Sequence, residues 1–257
     1  MRKAARRTVH NAVRRAMRRA SVALAAGLVL LAAPRSLHAQ VDDRAIHSFV
    51  LLDQFERRAV TGEDPVAWDL IAWVGGDYTR AWIKSSGTRA TRGGSGEAEL
   101  QVLFGRLVAP FWDAQVGAQV ETRSAGGVTR TRTSAVAALE GLAPYWFELE
   151  PSLYVSDRGD VSGELTASYD LFVTQRLLLQ PRLDLRAAVQ EVREFGVGSG
   201  LNDAAFGLRL RYELRRELAP YVGMRWSRSL GGSADLARAA GEAVSRSTVV
   251  AGVRLWF

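Results

Sequence analysis

The stretch FELEPSLYVS, residues 147–156, alternates apolar and polar side chains along its whole length. Successive side chains of a β-strand point to opposite faces, so the pattern predicts a strand with one apolar and one polar face. Strands of soluble sandwiches usually have about five or six residues, whereas a tilted strand that crosses a membrane has about ten. The length of 147–156 therefore favours a membrane-crossing strand.

The same alternation recurs in VSGELTASYDL (161–171) and LLLQPRLDLRAAV (177–189). Tight breaks, three of them Ala-Pro-aromatic, fall at 75–77, 109–112, 143–146, 174–176 and 219–221. Longer polar stretches fall at 56–65, 85–97, 122–130, 156–160, 193–203 and 231–245. Strands are predicted at about 48–57, 66–75, 78–86, 97–108, 111–121, 131–142, 145–156, 160–172, 176–190, 203–215, 220–230 and 246–257. Tight and long connections are therefore expected to alternate strictly.

Twelve strands with alternating short and long connections are typical of an outer-membrane barrel, whose periplasmic turns are short and whose external loops are longer. We expect an all-β fold, a closed antiparallel up-and-down transmembrane β-barrel with both termini in the periplasm. Trp112, Trp146 and Trp256 lie at predicted strand ends, where interfacial aromatic girdles belong. The alternative is aromatic core packing in a soluble β protein.

The final stretch STVVAGVRLWF (247–257) carries an apolar face to its last residue. An open sheet edge in lipid would leave unpaired backbone groups that cost several kcal/mol each, so the last strand must pair with the first. A terminal aromatic such as Phe257 also resembles the signal that the outer-membrane assembly machinery recognises.

The basic charge lies at the N-terminus. Nine of the 34 Lys and Arg residues, and no acidic residue, precede Gln40, so 25 basic residues face 27 acidic ones in the rest of the chain. This net charge of −2 argues against a nucleic-acid partner. A basic segment, an apolar stretch over 21–33 and Leu37-His38-Ala39 form a secretory signal.

These features divide the chain into a signal peptide over 1–39, a short periplasmic segment over 40–47 and a barrel over 48–257. Met17 begins a complete signal by itself, so it is a candidate true start. The apolar stretch of 13 residues is too short to span a bilayer about 30 Å thick. The chain has no cysteine, which excludes disulfides, thiolate metal sites and cysteine nucleophiles.

Several stretches resemble the copper resistance protein B family of Gram-negative outer membranes, among them AWDLIAWVGGDYTRAWIKSSG (67–87), GLAPYWFELEPSLYVSDRGDVSGELTASYDLFVTQRLLLQPRLDL (141–185) and GSGLNDAAFGLRLRYELRRELAPYVGMRW (198–226). The resemblance covers nearly all of the chain after 39. It implies an outer-membrane barrel that contributes to copper tolerance or copper ion homeostasis by binding or moving copper. It also implies contact with outer-membrane lipid and periplasmic copper-handling proteins as partners.

Many members of that family place a segment rich in Met and His before the barrel, and this sequence departs from the pattern. After Ala39 it has one histidine, His47, and one methionine, Met224. Copper is held by thiolate, thioether and imidazole ligands or by a tetragonal set of nitrogen and oxygen donors. His47, Met224 and Asp53 are therefore only weak candidate metal ligands, and no cluster supports copper as a bound cofactor. Packing is the simpler role for Met224, which alternates with Val222 and Trp226 on a lipid-facing stripe.

Charged residues on the polar faces should line the lumen. The acids are Asp69, Glu99, Asp113, Glu148, Glu150, Glu164, Asp170, Asp184 and Glu213, and the arginines are Arg182, Arg186, Arg209, Arg211, Arg215 and Arg225. Most acids lie on middle strands and the arginines on later ones, so facing walls should have opposite sign. The carboxylates either attract cations in a pore or pair with arginines in a filled lumen.

An enzymatic barrel, a lipase or protease, is the third hypothesis besides a copper-related barrel and a small-solute channel. Hydrolytic sites need a nucleophile with a positioned base, usually histidine. His47 and the adjacent Ser48 face opposite sides of a strand, so they cannot pair directly. The sequence therefore predicts no catalytic residues.

The signal-peptide interpretation predicts that the mature protein begins at Gln40. Intact-mass measurement of protein from the outer membrane should give the mass of 40–257. Ala39→Trp should block cleavage and leave a larger precursor, because the protease needs a small residue at that position. Ala45→Trp, beyond the site, should be processed normally. A mature protein that retains residues before Gln40 would contradict the assignment.

Overall fold

A computed structural model describes residues 45–59, 64–91 and 94–257. The signal peptide and most of the segment 40–47 lie outside the described residues. The strands are β1 His47–Ala59, β2 Val66–Gly75, β3 Thr79–Arg89, β4 Gly96–Ala109, β5 Trp112–Ala125, β6 Val128–Ala143, β7 Phe147–Ser156, β8 Val161–Ser168, β9 Leu171–Phe172, β10 Leu177–Ala188, β11 Gly200–Tyr212, β12 Leu218–Ser229 and β13 Ser245–Trp256. Among the described residues, the α-helix α1 spans Gly231–Ala239, and short 3₁₀ turns span Pro144–Trp146 and Arg193–Phe195.

The strands form one closed antiparallel ring. Each strand pairs with its neighbours in the chain, and β13 pairs with β1 to close the sheet. The short strand β9 pairs with β10 beside β8, so β8 and β9 together fill one position. The ring therefore has twelve strand positions, which confirms the predicted number and the closure by the last strand.

The two ends of the barrel differ in the length of their connections. The first described residue, Ala45, and Phe257 lie at the end that carries the turns 76–78, 110–111, 144–146, 173–176 and 213–217. The opposite end carries 189–199 and the segment 230–244 that contains α1. Because external loops are the longer ones, the end that carries Phe257 faces the periplasm.

No helix among the described residues is long and apolar enough to cross a membrane.

The outer wall is apolar and the inner wall is mostly polar. Val102, Val116, Val222 and Val249 are each 57–58 % exposed on the outside. Inward positions hold buried Gln, Glu, Lys and Arg side chains. This division is the one that lipid contact demands, because charged groups are costly on the lipid face.

Aromatic residues gather at the periplasmic end. Phe111, Tyr145 and Trp146 are exposed and adopt the left-handed backbone conformation, with φ of 67–68°. That conformation costs a non-glycine residue of order 1–3 kcal/mol. In each case a proline precedes the aromatic residues in the turn, so the tight turn forces the geometry and projects the rings to the interface.

The strict alternation of tight and long connections is wrong at 122–130. β5 and β6 extend through this segment with Thr122 opposite Thr131, and only Gly126 and Gly127 connect them. Both glycines have positive φ, which suits a two-residue hairpin. Threonine favours strands, so the polar composition of this segment was wrongly interpreted as a loop.

The predicted break at 219–221 is also wrong. Pro220 and Tyr221 lie inside β12, and the turn falls at 213–217. Glu213 and Arg215, predicted on the inner wall, lie in this periplasmic turn instead. Pro220 is tolerated near the start of a strand because few ladder bonds are lost there.

Two further departures concern the later strands. The predicted strand over 160–172 is interrupted at Tyr169 and Asp170, between β8 and β9. The predicted loop over 231–245 contains α1, whose Ala-rich stretch ADLARA is a good helix former. Its Gly, Ser and charge content had favoured a loop.

The register of the closing strands predicts a specific cross-link. Arg57 and Ala251 are cross-strand partners, at a separation that suits a disulfide. Because the chain has no cysteine, a double variant, Arg57→Cys/Ala251→Cys, should form one disulfide that shifts mobility on a non-reducing gel.

The matched control is Arg57→Cys/Leu255→Cys, which places the second cysteine four residues along the same strand face. It should not cross-link, because the pair lies beyond disulfide reach. Equal cross-linking of both pairs, or none of the predicted pair, would contradict the closure register.

Candidate functional site

The Glu56 carboxylate is a fully buried polar group on the inner wall. Its oxygens accept hydrogen bonds from Arg58 at 2.9 Å, from Arg209 at 3.0 and 3.2 Å and from the Tyr221 hydroxyl at 3.1 Å. Arg209 also donates to Gln54 at 2.8 Å. Glu56 and Arg209 are only 1–2 % exposed, so this buried charge pair joins β1 to β11. Such a pair is tolerated because both charges are compensated and hydrogen-bonded.

A β-bulge in β1 directs the side chains of this cluster into the lumen. The register with both neighbouring strands shifts between Leu52 and Phe55, so Asp53 and Gln54 both point into the barrel. A bulge inserts one extra residue and redirects the side chains that follow it. As a result, Glu56 faces inward, although the sequence assigned it to the start of a loop.

A second cluster centres on Arg182 of β10. Its guanidinium lies 2.9 Å from Asp184, 3.0 Å from Asp69 and 3.4 Å from Asp53. Arg225 contacts Asp184 at 2.8 Å and Arg254 contacts Asp53 at 2.9 Å. The carboxylates come from β1, β2 and β10, so Arg182 reaches across the lumen.

Arg186, four residues further along β10, forms another cross-lumen contact. It lies 3.2 Å from Glu164 on the neighbouring strand β8 and 3.3 Å from Glu99 on β4. Its side chain is 41 % exposed, which makes it the more accessible of the two arginines. Lys84 of β3 pairs similarly with Glu140 at 2.8 Å and with Glu150 of β7.

Apolar side chains fill one side of the lumen toward the periplasm. Trp82, Leu103, Val136, Ala138 and Tyr154 form a buried cluster, against which Ile71 and Trp73 pack. Gly105 lies against Trp82, where a Cβ atom would come within 2.5 Å of the indole nitrogen. This packing narrows the lumen on the periplasmic side.

A cavity of about 980 Å³ occupies the external part of the lumen. Arg182, Arg186, Glu99, Glu150 and Glu164 lie along it, and Tyr154 and Ile71 mark the approach to the apolar cluster. Acidic residues of β2, β4, β7 and β8 face arginines of β10 and β12. The predicted walls of opposite sign are therefore present.

The segment 189–199 and α1 partly cover this cavity from outside. Phe195 is buried, its ring lies 4.6 Å from the Arg132 guanidinium, and its carbonyl accepts from Arg123. Arg158 binds Glu194 at 2.7 Å, and this hydrogen bond raises the pKa of Arg158 above its usual range. The Gly198 amide donates to Ser233 of α1 at 2.8 Å.

The three weak candidate metal ligands lie apart. His47 is exposed at the periplasmic start of β1, Met224 is 43 % exposed on the outer wall, and Asp53 is paired with Arg254 inside the lumen. Over 45–59, 64–91 and 94–257, no group of three or more His, Cys, Asp or Glu side chains is arranged to hold a metal ion. Of the three, only Asp53 belongs to the lumen network.

Sequence reasoning missed Glu56, Gln54, Arg254 and Tyr221. The bulge hid the first two, because strict alternation fails beyond it. The incorrect turn at 219–221 hid Tyr221. Arg254 sits at an inward position of the alternating final strand and could have been identified from the sequence.

The Glu56 cluster predicts that breaking a buried ion pair lowers the free energy of unfolding far more than breaking an exposed one. Glu56→Gln leaves Arg209 buried without its counter-ion, so the free energy of unfolding should fall by about 3–5 kcal/mol. Asp64→Asn breaks the exposed pair with Arg57, whose atoms lie 2.7 Å apart, and should cost about 0–1 kcal/mol.

Both variants can be compared by urea unfolding of the barrel in lipid vesicles, followed by tryptophan fluorescence. Equal destabilisation by the two substitutions would show that Glu56 is not a compensated buried charge.

The chain is similar to known copper resistance proteins. It is 40 % identical over 217 residues to copper resistance protein B of Escherichia coli, which covers 84 % of this chain and 72 % of that protein. It is 39 % identical over 218 residues to the copper resistance protein B homolog of Pseudomonas syringae pv. tomato, with 85 % and 72 % coverage.

Among solved structures, the NanC porin aligns with a TM-score of 0.50 and 12 % identity, covering 81 % of this chain and 99 % of that one. This likeness supports the barrel fold. The family model described as Copper resistance protein B precursor (CopB) matches residues 46–257, and the chain belongs to this family of outer-membrane proteins.

Proposed function

We propose that this barrel contributes to copper tolerance by moving copper, as an ion or a small complex, at the outer membrane. The observation that carries the proposal is the family match, which extends from residue 46 to 257 and so includes every charged strand of the lumen. Its relatives are named for copper resistance.

The arrangement of ligands favours movement over storage on the barrel. His47, Met224 and Asp53 lie on the periplasmic rim, the outer wall and the inner wall, so they do not form one site. Lumen carboxylates are weaker ligands for copper than imidazole or thioether groups, and they already pair with arginine. A cation that meets them would be attracted without being held tightly.

The alternative is a small-solute channel with no copper role. The cavity of about 980 Å³ is large enough for a solute of that kind. The two functions differ in phenotype, because only the first makes copper tolerance depend on the barrel.

The proposed role is not enzymatic. The only histidine after residue 39 lies at the strand entrance, and it does not line the charged cavity. Periplasmic copper-handling proteins and the assembly machinery are the partners that this role implies. The exposed C-terminal Phe257 is the group the machinery would recognise.

Deletion of the gene should lower the copper concentration at which growth stops, and the wild-type gene should restore it. A His47→Ala/Met224→Leu double variant should restore growth fully, because neither side chain belongs to the lumen network. Growth across a copper series measures both outcomes.

The matched control is growth of the same strains across a zinc series, which the proposal expects to be unchanged. If deletion leaves copper tolerance unaltered, the barrel has no copper role and the channel alternative holds. If the double variant fails to rescue while reaching the membrane at normal level, copper binding by these residues replaces movement through the lumen.

A further inference from the structure

Two arginines of β10 cross the lumen, and each contacts one near carboxylate and one on a nearly opposite strand. Arg182 contacts Asp184 on its own strand, and it also reaches Asp69 on β2. Arg182 also lies 3.4 Å from Asp53 on β1. Arg186 contacts Glu164, its direct cross-strand partner on β8, and it also reaches Glu99 on β4. In each case four strands separate the far partner from β10 on one side of the ring and six on the other. The far contacts therefore bridge nearly opposite walls.

The near carboxylates keep each arginine paired when its contact across the lumen breaks. Arg186 can keep Glu164, and Arg182 can keep Asp184, with both side chains lying along the wall of β10. Neither guanidinium then becomes a buried charge without a partner, the state that makes broken buried pairs costly. The bridges can therefore open without removing the arginines from the lumen lining.

The backbone next to Arg182 lacks one ladder donor. Pro181 has no N–H to donate, and it lies opposite the interruption between β8 and β9, where the Tyr169 amide donates to its carbonyl at 3.2 Å. Proline in a sheet removes a hydrogen bond and is usually confined to edges or irregular positions. The attachment point of this bridge therefore lies beside an irregular position of the ladder.

Charge around the bridges is nearly balanced only while the arginines are in place. The five carboxylates of Asp53, Asp69, Glu99, Glu164 and Asp184 face four guanidinium groups, those of Arg182, Arg186, Arg225 and Arg254. With Arg182 and Arg186 neutralised, five negative charges would face two positive ones. Such an excess of carboxylates selects cations in a pore.

We propose that the lumen is a cation pathway held shut by Arg182 and Arg186, which act as paired gate residues and neutralise its acidic constriction. The inference rests on the proposed function in that copper would be one of the cations that pass. The gate itself is a property of these side chains and can be measured without copper.

The test is ion conductance of the purified barrel in a planar lipid bilayer, with potassium chloride at unequal concentrations on the two sides. Wild-type protein should be closed for most of the recording. Arg182→Gln/Arg186→Gln should raise the open probability at least tenfold, and the sign of the reversal potential should show preference for potassium over chloride. Arg57→Gln, which removes an exposed arginine on the outer wall, should behave as wild type.

A second variant separates the gate from the selectivity. Asp69→Asn/Glu99→Gln removes the partners on β2 and β4 and keeps the arginines and Asp53. The barrel should therefore open more often than wild type, but with weaker preference for potassium than the arginine variant. This variant also carries the test if the arginine variant fails to give the heat-modifiable gel mobility of a folded barrel.

Closed behaviour of both folded variants would overturn the gate, and preference for chloride in the arginine variant would overturn the cation pathway. The copper growth series is independent of these recordings. Gated conductance with unchanged copper tolerance would refute the copper role alone, whereas a copper phenotype with ungated conductance would refute the gate alone.

Discussion

The pairing of β13 with β1 is the constraint on which the rest of the structure depends. Val50 and Phe257 exchange backbone hydrogen bonds of 2.9 and 3.0 Å at the last residue of the chain. Without this pairing, two strands would present unsatisfied backbone groups to lipid, where water cannot replace the lost partner. Closure through these bonds therefore satisfies the backbone groups of both strands.

Closure also determines the chemistry of the interior. Twelve strands enclose a lumen narrower than that of large porins, so long side chains from facing walls can meet. Once inward positions carry carboxylates and guanidinium groups, the low dielectric favours their pairing over separate charges. Glu56 with Arg209 is the buried extreme of this rule. Arg186 with Glu99 and Glu164 is a more accessible example, beside the external cavity.

Alternation and turn composition were sufficient to predict the barrel, its twelve strands and the opposite sign of its walls. They failed where a local feature breaks the period of two. The bulge at Asp53 directed Glu56, which had been expected at the start of a loop, into the lumen, and Gly126-Gly127 joined two strands that polar composition had separated. The identity of the charges that pair across the lumen could not be predicted, because it depends on which strands face each other and how far each side chain reaches. Arg186 and Glu99 are 87 residues apart in the chain.

The central claim is that charges on opposite walls are coupled across the lumen. A double-mutant cycle with Glu99→Gln, Arg186→Gln and both substitutions together, measured by equilibrium unfolding in lipid vesicles, tests it directly. We predict a coupling free energy of about 1 kcal/mol or more between Glu99 and Arg186, because the two side chains form an ion pair. Additivity within about 0.3–0.5 kcal/mol would show that the two walls do not interact and would contradict the account.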